Sequence, residues 1–104
     1  MTVVQFMEKS GVPMHLKGYD LMIKCIDRII KDPNICVCNI YAEIYAECGC
    51  THWSVDRNIR TAIKKGWPHM DEKLKSVLFG DLKEIPGSVS YMKTVACAIR
   101  NKII

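Results

Sequence analysis

The stretch Thr51-His-Trp-Ser-Val-Asp-Arg-Asn-Ile-Arg-Thr-Ala-Ile-Lys-Lys65 decides the fold. Laid on a helix, Val55, Ile59, Ala62 and Ile63 fall at i, i+4, i+7 and i+8 and form a stripe for burial. Asp56, Arg57, Arg60 and Lys64 line another face, again at helical spacing. Glu47-Cys-Gly-Cys50 precedes the helix as a short turn, and a further helix-like run precedes the turn. Helix, tight turn and a second helix with a basic face make the skeleton of a helix-turn-helix that reads DNA.

Working outward, Thr51 is a good N-cap, because its hydroxyl can accept an orphan backbone N–H. Gly49 is the residue best able to take a positive φ in the turn. Residues 35–47 form the first helix of the pair, with Ile40 and Ile44 inward and either Tyr41 or Cys48 beside them. The second helix runs over about 51–65 and ends at Gly66-Trp67-Pro68, so the helix-turn-helix spans about 35–66. Trp67 is expected in the core.

Upstream, residues 14–31 carry Leu16, Tyr19, Met22, Ile23, Ile26, Ile29 and Ile30 with a period near 3.6, and Asp32-Pro33-Asn34 ends that helix. Residues 2–9 read as a short opening helix broken near Gly11 and Pro13. Downstream, Asp71 to Phe79 is a short helix closed by Gly80. Ser88 or Ser90 is the expected cap of a last helix with Tyr91, Val95, Ala98 and Ile99 on its apolar side. No segment alternates in the manner of a strand. The reading is an all-α, compact bundle of about six helices forming a single domain over 1–104.

A chain that is 49% hydrophobic can bury a core and is not a disordered tail. Residues 1–50 hold five Lys/Arg and six Asp/Glu, a net of −1, whereas residues 51–104 hold ten and five, a net of +5. The basic surplus begins where the second helix of the pair begins, which favours a polyanionic partner. No run approaches the ~18–20 apolar residues needed to span a bilayer. The N-terminus lacks a basic start and a long apolar run, so no signal peptide, a cytoplasmic location and free thiols are expected.

Cys36-Val-Cys38 and Cys48-Gly-Cys50 are Cys-x-Cys pairs rather than the wider spacing of structural zinc. The cysteines are therefore read as small apolar core residues, with no metal and no cofactor. Met7, Met14, Met22 and Met92 are read as core filler in the same way. There is no Gly-rich phosphate loop, no paired-carboxylate constellation and no Ser or Cys with an evident base. Cys48, Cys50 and His52 are close in sequence but lack an orienting third group, so a non-enzymatic protein is expected.

Gly11-Val-Pro-Met-His-Leu-Lys-Gly-Tyr19 resembles the Gly-Val-Pro-x-His-x-Lys-Gly-Tyr signature of one regulator family. This is the C-terminal DNA-binding domain of the master sporulation response regulator of endospore-forming bacteria. Val55-Asp-Arg-Asn-Ile-Arg-Thr-Ala-Ile-Lys-Lys-Gly-Trp67 is similar to that family's recognition helix, and Leu78-Phe79-Gly80 and the loop proline before the last helix match in order. The resemblance implies a six-helix domain that binds promoter DNA through the major groove and regulates transcription. It assigns base reading to Arg57 and Arg60, and to Asp56 where the family usually carries Glu. Arginine offers two parallel donors to guanine O6 and N7, and a carboxylate can accept from cytosine N4. Asp56 could instead form an i, i+4 pair with Arg60.

Thr51, His52, Trp53, Ser54, Lys64 and Lys65 are expected as backbone or accessory contacts. Among them, Ser54 replaces a basic residue of the family, Trp53 and His52 replace small ones, and Lys64 and Lys65 add charge. Thr61 stands where a His is familiar. Trp53 would stack or pack against DNA, or else pack on the preceding helix. His15 is read as structural, and Gly18 as a site of close helix packing or of backbone exposed for a phosphate contact by Lys17. The implied partners are double-stranded promoter DNA, a second copy through residues 90–100 of the last helix, and RNA polymerase, with no membrane. The family's receiver domain finds no room in these residues, so an excised domain or a stand-alone relative is expected.

An alternative fits the same residues: a protein-interaction adaptor or antagonist that keeps the fold but not DNA binding. Ser54, Asp56, the missing receiver and the acidic Glu43 and Glu47 motivate it. A zinc- or redox-sensing switch on the paired cysteines is a third reading.

Overall fold

Thr2 opens the first helix through a reciprocal cap. Its hydroxyl accepts the Gln5 N–H at 3.1 Å, and its own N–H donates to Gln5 Oε1 at 2.9 Å. In this computed structural model, which describes residues 1–49 and 51–104 (the His52 side chain excepted), α1 spans Val3–Lys9. The helices that follow are α2 (Lys17–Lys31), α3 (Val37–Cys48), α4 (His52–Gly66), α5 (Glu72–Phe79) and α6 (Ser88–Arg100). Among the described residues every regular element is a helix, so the fold is all-α as expected.

α2 is the central rod and packs most extensively against α4 and α6. Tyr19, Met22, Ile26 and Ile29 are buried as the periodicity requires. Leu21 and Cys25 are buried as well, because a helix flanked on two sides loses more than one stripe to the core. The helix starts at Lys17 rather than at residue 14. The Pro13 carbonyl accepts the Leu16 N–H at 3.2 Å in a turn, and Leu16 itself is extended. Met14 and His15 therefore stand exposed in that turn, and Met14 is not core filler. Met7, Met22 and Met92 are.

Gly18 explains why α2 and α4 lie so close. A Cβ at this position would sit 2.2 Å from the Asn58 carbonyl oxygen and 2.6 Å from the Ala62 Cβ. The glycine is thus the saddle on which α4 rests. Val55, Ile59, Ala62 and Ile63 face that saddle and the core, all buried.

α4 continues past the expected stop into a 3₁₀ turn, Trp67–His69. Pro68 sits in its first turn, where a missing N–H costs nothing. Trp67 is buried and meets Phe79 at 5.2 Å between ring centroids, with Phe79 stacked on Tyr91 at 5.3 Å. Lys75 lies over the Trp67 ring at 4.6 Å. Phe6 completes the cluster edge-on to Tyr91 at 6.2 Å, so aromatic contacts tie α1, α5 and α6 to the end of α4. Asp71 caps α5 through Leu74 N–H at 3.0 Å, while its own N–H donates to the Lys9 carbonyl at 2.9 Å.

Two expectations about small residues fail. α6 begins at Ser88 with Gly87 in the cap position and no side-chain cap, because the Ser88 hydroxyl is used elsewhere. Of the described cysteines Cys25 alone is buried; Cys36, Cys38, Cys48 and Cys97 are exposed, being placed on the polar faces or ends of their helices.

Candidate nucleic-acid interface

The α3–α4 pair is built by local chemistry. α3 ends where Gly49 adopts φ 71° and ψ 11°, and its N–H returns to the Tyr45 carbonyl at 2.7 Å. A left-handed residue here reverses the chain without the Cβ clash that other residues suffer. Cys50 lies outside the described residues. Thr51 caps α4 by accepting the Ser54 N–H at 3.2 Å. Ile40 and Ile44 of α3 are fully buried and Tyr41 nearly so, while Cys48 is exposed, which resolves the choice of inward neighbour.

With its apolar stripe against the core, α4 turns Trp53, Arg57, Arg60, Thr61, Lys64 and Lys65 to solvent. Arg57, Lys64 and Lys65 form no ion pair with any described residue. The Arg60 side chain is 71% exposed, and its Nε lies 2.9 Å from Asp56 Oδ2.

Asp56 is the node of the site. Its Oδ1 accepts from the Tyr41 hydroxyl of α3 and the Ser88 hydroxyl of α6, each at 3.3 Å, and its Oδ2 takes Arg60. Its side chain is only 28% exposed. Burial pushes the Tyr41 pKa up and the neighbouring Asp56 charge adds to the shift, so the phenol stays protonated and donates. The i, i+4 pair considered from the sequence is thus present, and both carboxylate oxygens are engaged within the domain.

Ser54 has a partner too. The Asn58 side-chain amide donates to the Ser54 carbonyl at 2.8 Å and reaches its hydroxyl at 3.4 Å. Trp53 is not packed into the core: at 87% exposed it is the most solvent-accessible of the exposed large apolar residues described. The expectation that it rests on the preceding helix is corrected, because the cap at Thr51 sets the helix phase and the buried Val55 then directs Trp53 outward. The side chain of His52 lies outside the described residues.

The acidic residues of α3 are neutralised from α2. Arg28 Nε lies 2.8 Å from Glu43 Oε2, and its Nη2 pairs with Glu47, which Lys24 also approaches at 3.6 Å. Tyr41 and Ser88 are the neighbours of Asp56 that helical spacing does not reveal. Tyr41 was flagged as inward and Ser88 as a cap, but their convergence on Asp56 is tertiary.

A left-handed Gly49 ending α3 and a basic outer face on the α4 that follows, on an all-α core, fit the class of DNA-binding regulator domains. The family model described as "Sporulation initiation factor Spo0A C terminal" matches residues 3–101, and the chain belongs to that family. The signature that carried the resemblance now has physical roles. Val12 and Tyr19 are buried and Gly18 carries α4, so the motif builds the platform beneath α4. Among the described residues no helix is long and apolar enough to cross a membrane.

Proposed function

We propose that this domain reads promoter DNA sequence-specifically with α4 in the major groove. The observation that supports the reading best is the outer face of α4. Arg57, Arg60 and Lys64 share it at i, i+3 and i+7, opposite a fully buried stripe, and Arg57 forms no ion pair with a described residue. Arg57 and Arg60 are the base readers, each suited to a bidentate grip on guanine. Thr51, His52, Ser54, Lys64 and Lys65 position the helix on phosphates. Asp56 acts as a positioning residue, fixing the Arg60 guanidinium and joining α4 to α3 and α6, in place of a direct acceptance from cytosine.

Binding begins with neutralisation of phosphates and is salt-dependent. A second copy engages an adjacent box through the last helix, where Val77, Leu78, Ala98 and Ile103, with Lys93 and Thr94 among them, line a mostly apolar groove between α5 and α6. The adaptor reading loses its electrostatic support, since Glu43 and Glu47 are matched by Arg28 and Lys24.

Selection of bound sequences from a random duplex pool tests the proposal. Enrichment of one box, bound with a steep negative salt dependence and better than a scrambled duplex, is the expected result. Recovery of no box at any salt concentration would leave the adaptor as the function.

A further inference from the structure

The indole of Trp53 is exposed to solvent. It is the second residue of α4, and Arg57, Arg60 and Lys64 follow it at i+4, i+7 and i+11. One continuous stripe therefore runs along the outer face of α4, tipped by a large apolar ring and otherwise cationic. An apolar protein partner would have to desolvate or neutralise three cations beside the ring. A duplex neutralises them by its phosphates at no such cost.

In a helix-turn-helix the N-terminal residues of the recognition helix come nearest the base edges. The floor of the major groove is polar except for one group, the C5-methyl of thymine. An indole is apolar over most of its surface and has a single N–H donor. The surface it can cover with gain, at the leading end of such a stripe, is that methyl.

We infer that Trp53 is a specificity-determining residue that packs its ring on the C5-methyl of a thymine flanking the bases read by Arg57 and Arg60. This rests on the DNA-reading function proposed above. It makes the site read one A·T pair by apolar contact beside the guanines taken by arginine. It also gives Trp53 a reason to be largely solvent-exposed in the free domain, because the partner that covers it is absent until binding.

The test replaces each thymine of the selected box singly by deoxyuridine, which pairs identically but lacks the methyl. Kd is measured for the wild-type chain and for Trp53→Ala and Trp53→Phe. One replacement should weaken wild-type binding about fourfold, the change expected for one methyl-sized group buried. Trp53→Ala should bind the thymine box more weakly and lose the distinction between thymine and deoxyuridine there, while Trp53→Phe retains part of it. Thermal melting should be unaltered in both variants, since the side chain is not packed into the core.

A deoxyuridine penalty that persists in Trp53→Ala would assign the methyl to another residue and overturn the inference. So would a wild-type chain indifferent to every replacement, or an equal loss for Trp53→Ala on specific and scrambled duplexes, which marks a backbone contact. Failure to prefer any box over scrambled DNA sinks the parent reading instead, and is seen first.

Discussion

The Asp56 carboxylate holds the Arg60 Nε at 2.9 Å while the same carboxylate accepts hydroxyls from α3 and α6. The Arg60 side chain is thereby referenced to three helices at once. An exposed i, i+4 pair alone contributes only ~0.2–0.5 kcal/mol, so its value lies in orientation and not in stability. The two hydroxyl bonds add tertiary anchorage, at the long end of hydrogen-bond distances.

Asp56→Ala is therefore expected to do two separable things. Urea unfolding should show a loss of about 1–2 kcal/mol, from two hydrogen bonds and a half-buried Tyr41 hydroxyl left without that acceptor. Binding should lose discrimination at the base pair read by Arg60 more than it loses affinity for scrambled DNA. Arg57→Ala is the contrast: stability unchanged, and about 1–3 kcal/mol lost on the specific box alone. Equal losses on specific and scrambled duplexes for Arg57→Ala would make it a phosphate contact.

Gly18 and Gly49 should respond to alanine for different reasons. At Gly18, helix propensity favours Ala by about 1 kcal/mol. Against this stands a Cβ at 2.2 Å from a backbone oxygen of α4, which no side-chain rotation relieves. Overpacking of this kind costs about 1–3 kcal/mol or more, so net destabilisation is expected, together with weakened DNA binding as α4 shifts. At Gly49 no atom lies within 4 Å of the added Cβ, and only the φ of 71° is penalised. Gly49→Ala should cost about 1–2 kcal/mol, and Gly49→Asn should cost less because Asn tolerates this region. Equal stability of Gly18→Ala and the wild type, by chemical unfolding, would show that α4 does not rest on this saddle.

Most of this architecture is legible in the sequence because it is local. The stripe Val55, Ile59, Ala62, Ile63, the cap at Thr51 and the turn at Gly49 are each decided within one or two helical turns, and each stands as read. What sequence spacing does not carry is tertiary convergence. Ser88 is a plausible helix cap from its neighbours alone, yet its hydroxyl donates to a residue 32 positions away. Trp53 has an apolar side chain, which argues for burial, but the phase fixed by Val55 sends it outward. Leu16 fits the apolar period of α2, yet the Pro13 turn takes its N–H before the helix can begin. Cysteine as a residue type argues for burial, yet Cys36, Cys38 and Cys48 stand at the ends of α3, where the helix phase leaves them exposed.

The thiols should differ sharply in reactivity. Burial pushes the Cys25 thiol up to about 12, so it is neutral and shielded in the folded chain. Cys36 is exposed at the start of α3, and the backbone N–H groups of Cys38 and Asn39 lower its pKa. Alkylation with iodoacetamide below pH 8, followed by peptide mapping, should label Cys36 fastest among Cys25, Cys36, Cys38 and Cys97. Cys25 should be labelled only under denaturant. Prompt labelling of Cys25 in buffer would contradict its burial.

Alkaline pH should unfold the domain for a reason that can be assigned. Burial raises the pKa of the Tyr91 phenol above its ordinary 10.0, as it raises Cys25 above 9.0. A folded-state pKa above the unfolded one means that the unfolded chain releases its proton first as pH rises. Stability from each group is complete below the unfolded value, so it should begin to fall above pH 9 through Cys25 and further above pH 10 through Tyr91 and Tyr41, whose phenol is also raised by burial. Urea midpoints measured from pH 7 to 11 should trace this decline. Tyr91→Phe keeps the ring on Phe6 and Phe79 but removes the ionisable group, so its midpoint should fall less between pH 10 and 11 than that of the wild type. Parallel curves for the two proteins over that window would place the alkaline transition on another residue.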